Sequence, residues 1–123
     1  MIRAAYSVQP FWRTMVDQEL DELRREFLAE AAAKVREIQA SVDDGQSPQS
    51  IERLTYLSHQ LKGSGGSYGF ERISAEAAEV EKVAERLGGG EPDGGLDRKL
   101  REHVGNLLTE IDTRRKELGD SSS

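Results

Sequence analysis

The chain has 123 residues, room for one domain around one core, and carries no cysteine and a formal net charge of -6. The absence of thiols excludes a disulfide framework, a thiolate nucleophile and cysteine-ligated zinc, leaving only His or carboxylate ligands for a metal. The negative charge argues against nucleic acid and anionic membrane surfaces as partners. The segment Met1 to Pro10 has no continuous apolar run of the secretory kind, and no stretch approaches the ~20 apolar residues of a membrane span. A soluble cytoplasmic protein is expected.

Four segments carry helical periodicity and none alternates as a strand does. The first is predicted from about Val16 to Val42, with Val16, Leu20, Leu23, Phe27, Ala31, Val35, Ile38 and Val42 at steps of three and four. Thr14 with Asp17 resembles a capping box at its start, and Phe11 and Trp12 before it are expected to cover one end of the molecule. Residues 1–15 are thus an N-terminal segment or a short helix set at an angle. Asp43-Asp44-Gly45 breaks the pattern, and Ser47-Pro48 restarts it with a side-chain cap followed by proline at the first helical position.

The second helix is predicted from Pro48 to about Gly65, burying Ile51, Leu54, Ser58 and Leu61, with Leu57 beside them. Glycines from Gly63 to Gly69 lead into a third helix with the stripe Phe70, Ile73, Ala77, Val80, Ala84 and Leu87. A loop follows by composition, Gly88 to Gly95. The last helix places Leu96, Leu100, Val104, Leu107, Ile111 and Leu118 on one face, and Gly119 ends it ahead of a frayed tail, 119–123. Four helices, each apolar on one stripe, bury those stripes most simply as an antiparallel four-helix bundle over 16–118, an all-α fold.

The chemistry concentrates in Ser58-His59-Gln60-Leu61-Lys62-Gly63-Ser64-Gly65-Gly66-Ser67-Tyr68-Gly69-Phe70. On a helix, His59 falls almost opposite the buried cluster and points to water. Gly63 lies one turn on along the same side, Gly66 returns to it, Glu52 and Tyr56 flank it, and Lys62 sits beside the imidazole. A nucleophilic imidazole must be exposed and outside any metal site. A phosphoryl group on the ring brings negative charge that an ammonium stabilises. Glycine costs a helix interior ~1 kcal/mol relative to alanine, so Gly63, Gly65 and Gly66 mark either clearance for a partner or the end of the helix.

This run resembles the signature of the histidine-containing phosphotransfer (HPt) family: a His, then Leu, Lys and Gly at two, three and four places on, small residues, and a further Gly. Here these are His59, Leu61, Lys62, Gly63, Ser64, Gly65, Gly66 and Gly69, and the resemblance covers about residues 16 to 118. It implies an antiparallel bundle with the phosphorylated His on the second helix. It also implies that phosphate comes from and goes to an aspartate on response-regulator receiver domains, which hold the Mg²⁺, within two-component signalling that begins at a hybrid sensor kinase. On this reading His59 is the phosphoacceptor and Lys62 screens the phosphoryl charge. Gly63, Gly66, Tyr56 and Ser64 belong to the binding surface, with Tyr68 and Phe70 as further candidates for an apolar docking patch. The chain is expected to be a monomeric phosphocarrier without kinase activity, cofactor or metal of its own.

Blander readings stand beside these. His103, between Leu100 and Leu107, reads as a packing residue. Gly69 reads as a turn residue. Glu76, Glu79, Glu81 and Glu85 read as a wet helix face. The glycine run is no phosphate loop, because its lysine precedes the glycines and a helix, not a strand, leads in. Two rival functions are a scaffold that binds receivers without needing His59, and a phosphoacceptor domain of the chemotaxis-kinase kind charged from ATP through a kinase partner.

Overall fold

The computed structural model describes the backbone of residues 2–119 and the side chains of residues 16–119. It consists of α1 (Ile2–Asp43), α2 (Pro48–Ser67), α3 (Glu71–Gly88) and α4 (Leu96–Glu117), with no strand among the described residues. Backbone contacts run round a ring, α1 to α2 to α3 to α4 and back to α1, and skip both diagonals. Successive helices are joined by short connections and pack side by side, as the expected helical bundle requires.

The restart after α1 follows the local chemistry. The Ser47 hydroxyl accepts the backbone N–H of Ser50 at 3.1 Å, and Pro48 occupies the first turn, where its missing N–H costs nothing. Gln46, in a left-handed conformation at φ 60°, donates its side-chain amide to Asp97, tying this turn to the start of α4. The α2–α3 turn is closed by a glycine in the left-handed region. Gly69, at φ +84°, lets Phe70 N–H reach Gly65 O at 2.8 Å and Gly69 N–H reach Gly66 O at 3.1 Å. That pair of bonds satisfies carbonyls at the helix end that would otherwise lack partners. The expectation that Gly69 is a turn residue is met.

The core is the union of the four stripes. Val35, Ile38 and Val42 of α1, Leu54 and Leu61 of α2, Ile73 and Val80 of α3, and Leu100, Val104, Leu107 and Ile111 of α4 are buried. Ser58, the one buried polar residue among those described, is self-satisfied: its hydroxyl donates to Leu54 O at 2.7 Å. Replacing Leu54 by Ala should cost ~2–5 kcal/mol of unfolding free energy in a denaturant titration. A cost near zero would mean that the stripe is misassigned.

Two boundaries differ from expectation by more than one residue, and Gly88, expected in the loop, closes α3. The first helix does not begin near Val16 but at Ile2, so Thr14 is an interior residue and no cap, and residues 2–15 continue α1 rather than form a separate angled turn. Continuing the helix pairs backbone N–H groups that a start at Thr14 would strand. At 42 residues, α1 is about 63 Å long and outreaches the others. Its apolar stripe is fully buried only from Phe27 onward, with Leu20 half-buried and Val16 and Leu23 exposed. The side chains of Phe11 and Trp12 and the tail beyond Gly119 lie outside the described residues. The second helix runs two residues past Gly65, to Ser67, so Gly63, Gly65 and Gly66 are all interior to it.

Candidate functional site

His59 stands on the outer face of α2 with 65% of its side chain exposed. Its Nδ1 lies 2.7 Å from Oε2 of Glu81 on α3, and Lys62 Nζ lies 2.7 Å from Oε1 of the same carboxylate. One glutamate therefore bridges two side chains a helical turn apart. Glu81 is largely enclosed, at 13% exposure. Burial works against its charge, but the hydrogen bonds from Lys62 and His59, helped by their attraction, prevail and hold the carboxyl below its usual range. An ionised carboxylate only accepts, so Nδ1 carries the proton of this bond. The lone pair of a neutral ring is then on Nε2, the nitrogen distal to the backbone and free of Glu81.

The seam that sets this geometry is the close approach of α2 to α3. A Cβ at Gly65 would meet Ser74 N at 3.1 Å and Ile73 Cγ2 at 3.3 Å, so glycine lets the two backbones touch. Just beside it the Ser74 hydroxyl donates to Lys62 O at 2.6 Å. Gly63 is the opposite case: it is exposed, and a Cβ there would meet nothing within 4 Å. One glycine run thus combines open space at Gly63 with close backbone packing at Gly65. The alternative that Gly63 belongs to a fraying helix end falls, because α2 continues to Ser67. Gly66, two turns from His59, is exposed and lies near the α3 seam, where a Cβ would touch Ser74 Oγ at 3.7 Å.

The remaining candidates divide. Tyr56, 53% exposed, lies one turn before His59, and its hydroxyl accepts from Gln60 Nε2 at 2.9 Å. Ser64 turns instead toward α1, in a cleft with Leu23, Phe27 and Tyr68 that His59 does not line. Tyr68 and Phe70 are no docking patch beside His59. Both stack on Phe27, at centroid distances of 5.0 and 5.7 Å, and close the end of the core.

The wet-face expectation holds for exposed Glu85 but fails for Glu81, and for Glu76, whose Oε2 lies 2.7 Å from Nδ1 of half-buried His103. Sequence reasoning missed Glu81 because it is 22 residues from His59. The available signal was its place next to Val80, at the edge of the α3 stripe rather than opposite it. Among the described residues no group of three His, Asp or Glu side chains could hold a metal ion, and no helix is long and apolar enough to cross a membrane.

An exposed imidazole, hydrogen-bonded to a carboxylate and neighboured by an ammonium, is chemically able to act as a nucleophile toward an anionic group. The family model described as Hpt domain matches residues 22–114. The chain belongs to the Hpt domain family. No curated protein and no solved structure matches it. Hpt domains are helical phosphocarriers of two-component phosphorelay signalling that work with receiver domains and kinases. The matched span of this Hpt domain contains all of α2 and α3, and so His59, Lys62 and Glu81.

Proposed function

We propose that this Hpt domain carries a phosphoryl group on His59 Nε2, taking it from the aspartyl phosphate of one receiver domain and passing it to the aspartate of another. The observation that carries this reading is the shared carboxylate: Glu81 engages His59 through Nδ1, on a ring that is 65% exposed, and so takes no part in the chemistry of Nε2. In the step itself the Nε2 lone pair attacks phosphorus. The Nε2–P bond forms as the P–O bond to the aspartyl carboxylate breaks, and the electron pair leaves with that carboxylate. The phosphorylated ring keeps its Nδ1 proton and so carries positive charge, which ionised Glu81 faces. Lys62 offsets part of the phosphoryl charge. Transfer to the second receiver is the same step reversed. The receiver holds the Mg²⁺ and most of the positioning.

All the groups involved come from α2 and α3 of one chain, so a monomer suffices. A hybrid sensor kinase is the source of phosphate in this reading, and the cytoplasm, where such receivers work, is its place. The test is a transfer profile. The protein is incubated with each phosphorylated receiver of its own genome and Mg²⁺, and label is followed with time. Rapid acid-labile labelling from at least one receiver is expected, and none from any would overturn the reading.

Gly63 gives a sharper check. A Cβ there meets nothing within 4 Å, and leaving glycine in a helix interior gains up to ~1 kcal/mol. Gly63→Trp should therefore keep or raise the melting temperature while its indole, one turn from the ring, obstructs a partner's approach. Transfer at the wild-type rate would remove the clearance argument.

A further inference from the structure

We propose that α1 pairs with α1 of a second copy of this chain, antiparallel, about a two-fold axis between Asp21 and Glu22. The pairing is separate from phosphotransfer, for which one chain suffices, and does not rest on the role of His59. Among the described residues, the first hydrogen bonds from α1 to another element are those of Arg24 to Tyr68 O at 3.3 Å and of Arg25 to Leu118 O at 3.0 Å. The helix nevertheless starts at Ile2, so about 33 Å of it runs on past the bundle. A helix of that length alone is marginal in water, and its stability comes from packing an apolar face. Such a face is present and open: Val16 is 41% and Leu23 47% exposed, with Leu20 half-buried between them.

Three observations identify the occupant as a second copy. The first is spacing. Val16, Leu20, Leu23 and Phe27 follow one another at steps of four, three and four, the seam of a two-stranded coil. Turned end for end about the axis between Asp21 and Glu22, this seam matches itself: position 16 of one copy meets 27 of the other, and 20 meets 23. Such self-complementarity is what a two-fold interface requires. The second is a seat for the partner helix. A cleft of about 140 Å³ between α1 and α2 is lined by Leu23, Phe27, Ala31, Leu61 and Tyr68. Position 16 of the second copy, opposite Phe27, falls at its mouth. The third is charge. Residues 2–15 include Arg3 and Arg13 and no acidic residue, whereas 16–30 hold six acids against Arg24 and Arg25. The same register sets position 13 against Glu30, on a cleft rim shared with Glu26 and one cation, Lys34. Both glutamates are exposed, and neither makes an ion pair among the described residues. A parallel pair would instead lay the two acidic stretches side by side, which like charges disfavour. His59 does not line this cleft, so the pairing leaves the ring open.

The test is sedimentation of the full chain from low to high micromolar concentration. The mass of two chains is expected at the high end, returning to that of one on dilution, with weaker association as salt rises. Val16→Glu combined with Leu23→Glu changes only exposed positions, so the bundle should still unfold cooperatively on heating while association weakens by about a hundredfold or more. Arg13→Glu and Glu30→Arg should each weaken it by about tenfold, and the two together should restore it to within about threefold. The two positions lie roughly 25 Å apart on one helix, so only a contact between copies gives that rescue. Because the chain has no cysteine, single-cysteine variants carry spin labels at defined places. Labels at Glu22→Cys should lie side by side across the axis, and those at Ala33→Cys roughly 35 Å apart along it. The mass of one chain at every concentration would overturn the pairing, as would association untouched by the Val16 and Leu23 changes. A charge swap that restores nothing, or close approach of the labels at both positions, would overturn the antiparallel register.

Discussion

Replacing His59 by Gln should abolish phosphorylation of this Hpt domain while leaving it folded. With 65% of the side chain in water and one hydrogen bond to lose, the ring contributes little to stability, and such exposed changes cost under about 0.5 kcal/mol. The chemical effect is complete, because a carboxamide offers no nitrogen lone pair for phosphorus. The label is followed after incubation with a charged receiver and Mg²⁺, and its chemistry is checked. A phosphoramidate is lost in acid and survives base, whereas phosphoserine behaves the other way. That control is necessary because Ser58, Ser64 and Ser67 lie within eight residues of His59 in the chain. His103→Gln is the matched comparison. Its ring is also paired with a glutamate, but it is half buried between α3 and α4 on the other side of α3. That variant should label at the wild-type rate. Acid-labile phosphate on His59→Gln, or its loss from folded His103→Gln, would sink the assignment of the nucleophile.

The second large effect is expected at Glu81. Removing it as Glu81→Ala frees the ring to change tautomer and rotamer and leaves the positive charge of the phosphorylated ring unopposed. Loss of such an orienting partner slows chemistry by roughly 10–100-fold where it has been tested on histidine ligands. Both groups that lose the carboxylate, His59 and Lys62, are open to water, so the fold should survive. Glu81→Gln should recover part of the rate, since its amide oxygen still accepts from Nδ1–H but its NH₂ cannot accept from Lys62.

The pH dependence of stability separates positioning from mere packing. The folded carboxyl titrates below its ordinary value of 4.5, so its ionised form stabilises the fold. That contribution is fully present above the ordinary value and is lost as pH falls through the lower folded one. The melting temperatures of wild type and Glu81→Gln should therefore differ by a constant amount from neutral pH down to about 5, and converge below it. A wild-type transfer rate in Glu81→Ala would show that the carboxylate does not position the ring.

Much of this was legible in the chain because it depends on near neighbours alone. The four apolar stripes repeat at helical spacing, Ser47-Pro48 caps α2 through contacts within three residues, and Gly69 turns the chain by its own backbone freedom. Those features fixed the bundle, and the phase of α2 put His59 on its wet side with Lys62 and Gly63 one turn away. The length of α1 was misread because a plausible cap at Thr14 competes with simple continuation, and local chemistry does not rank the two.

What only the tertiary structure decided is who meets whom across the seam of α2 and α3. Glu81 reaches His59 and Lys62 because Gly65 lets Ser74 and Ile73 approach its backbone, which sets the height and rotation of α3 against α2. A rotation of one residue, about 100°, would turn that carboxylate away from the ring. The same rotation assigns Ser64 to α1, and Tyr68 and Phe70 to the core end beside Phe27. Periodicity tells which side of a helix is dry. Which polar residues at its edges become partners depends on how closely two backbones pack, and that distance is a property of the assembled helices rather than of either one.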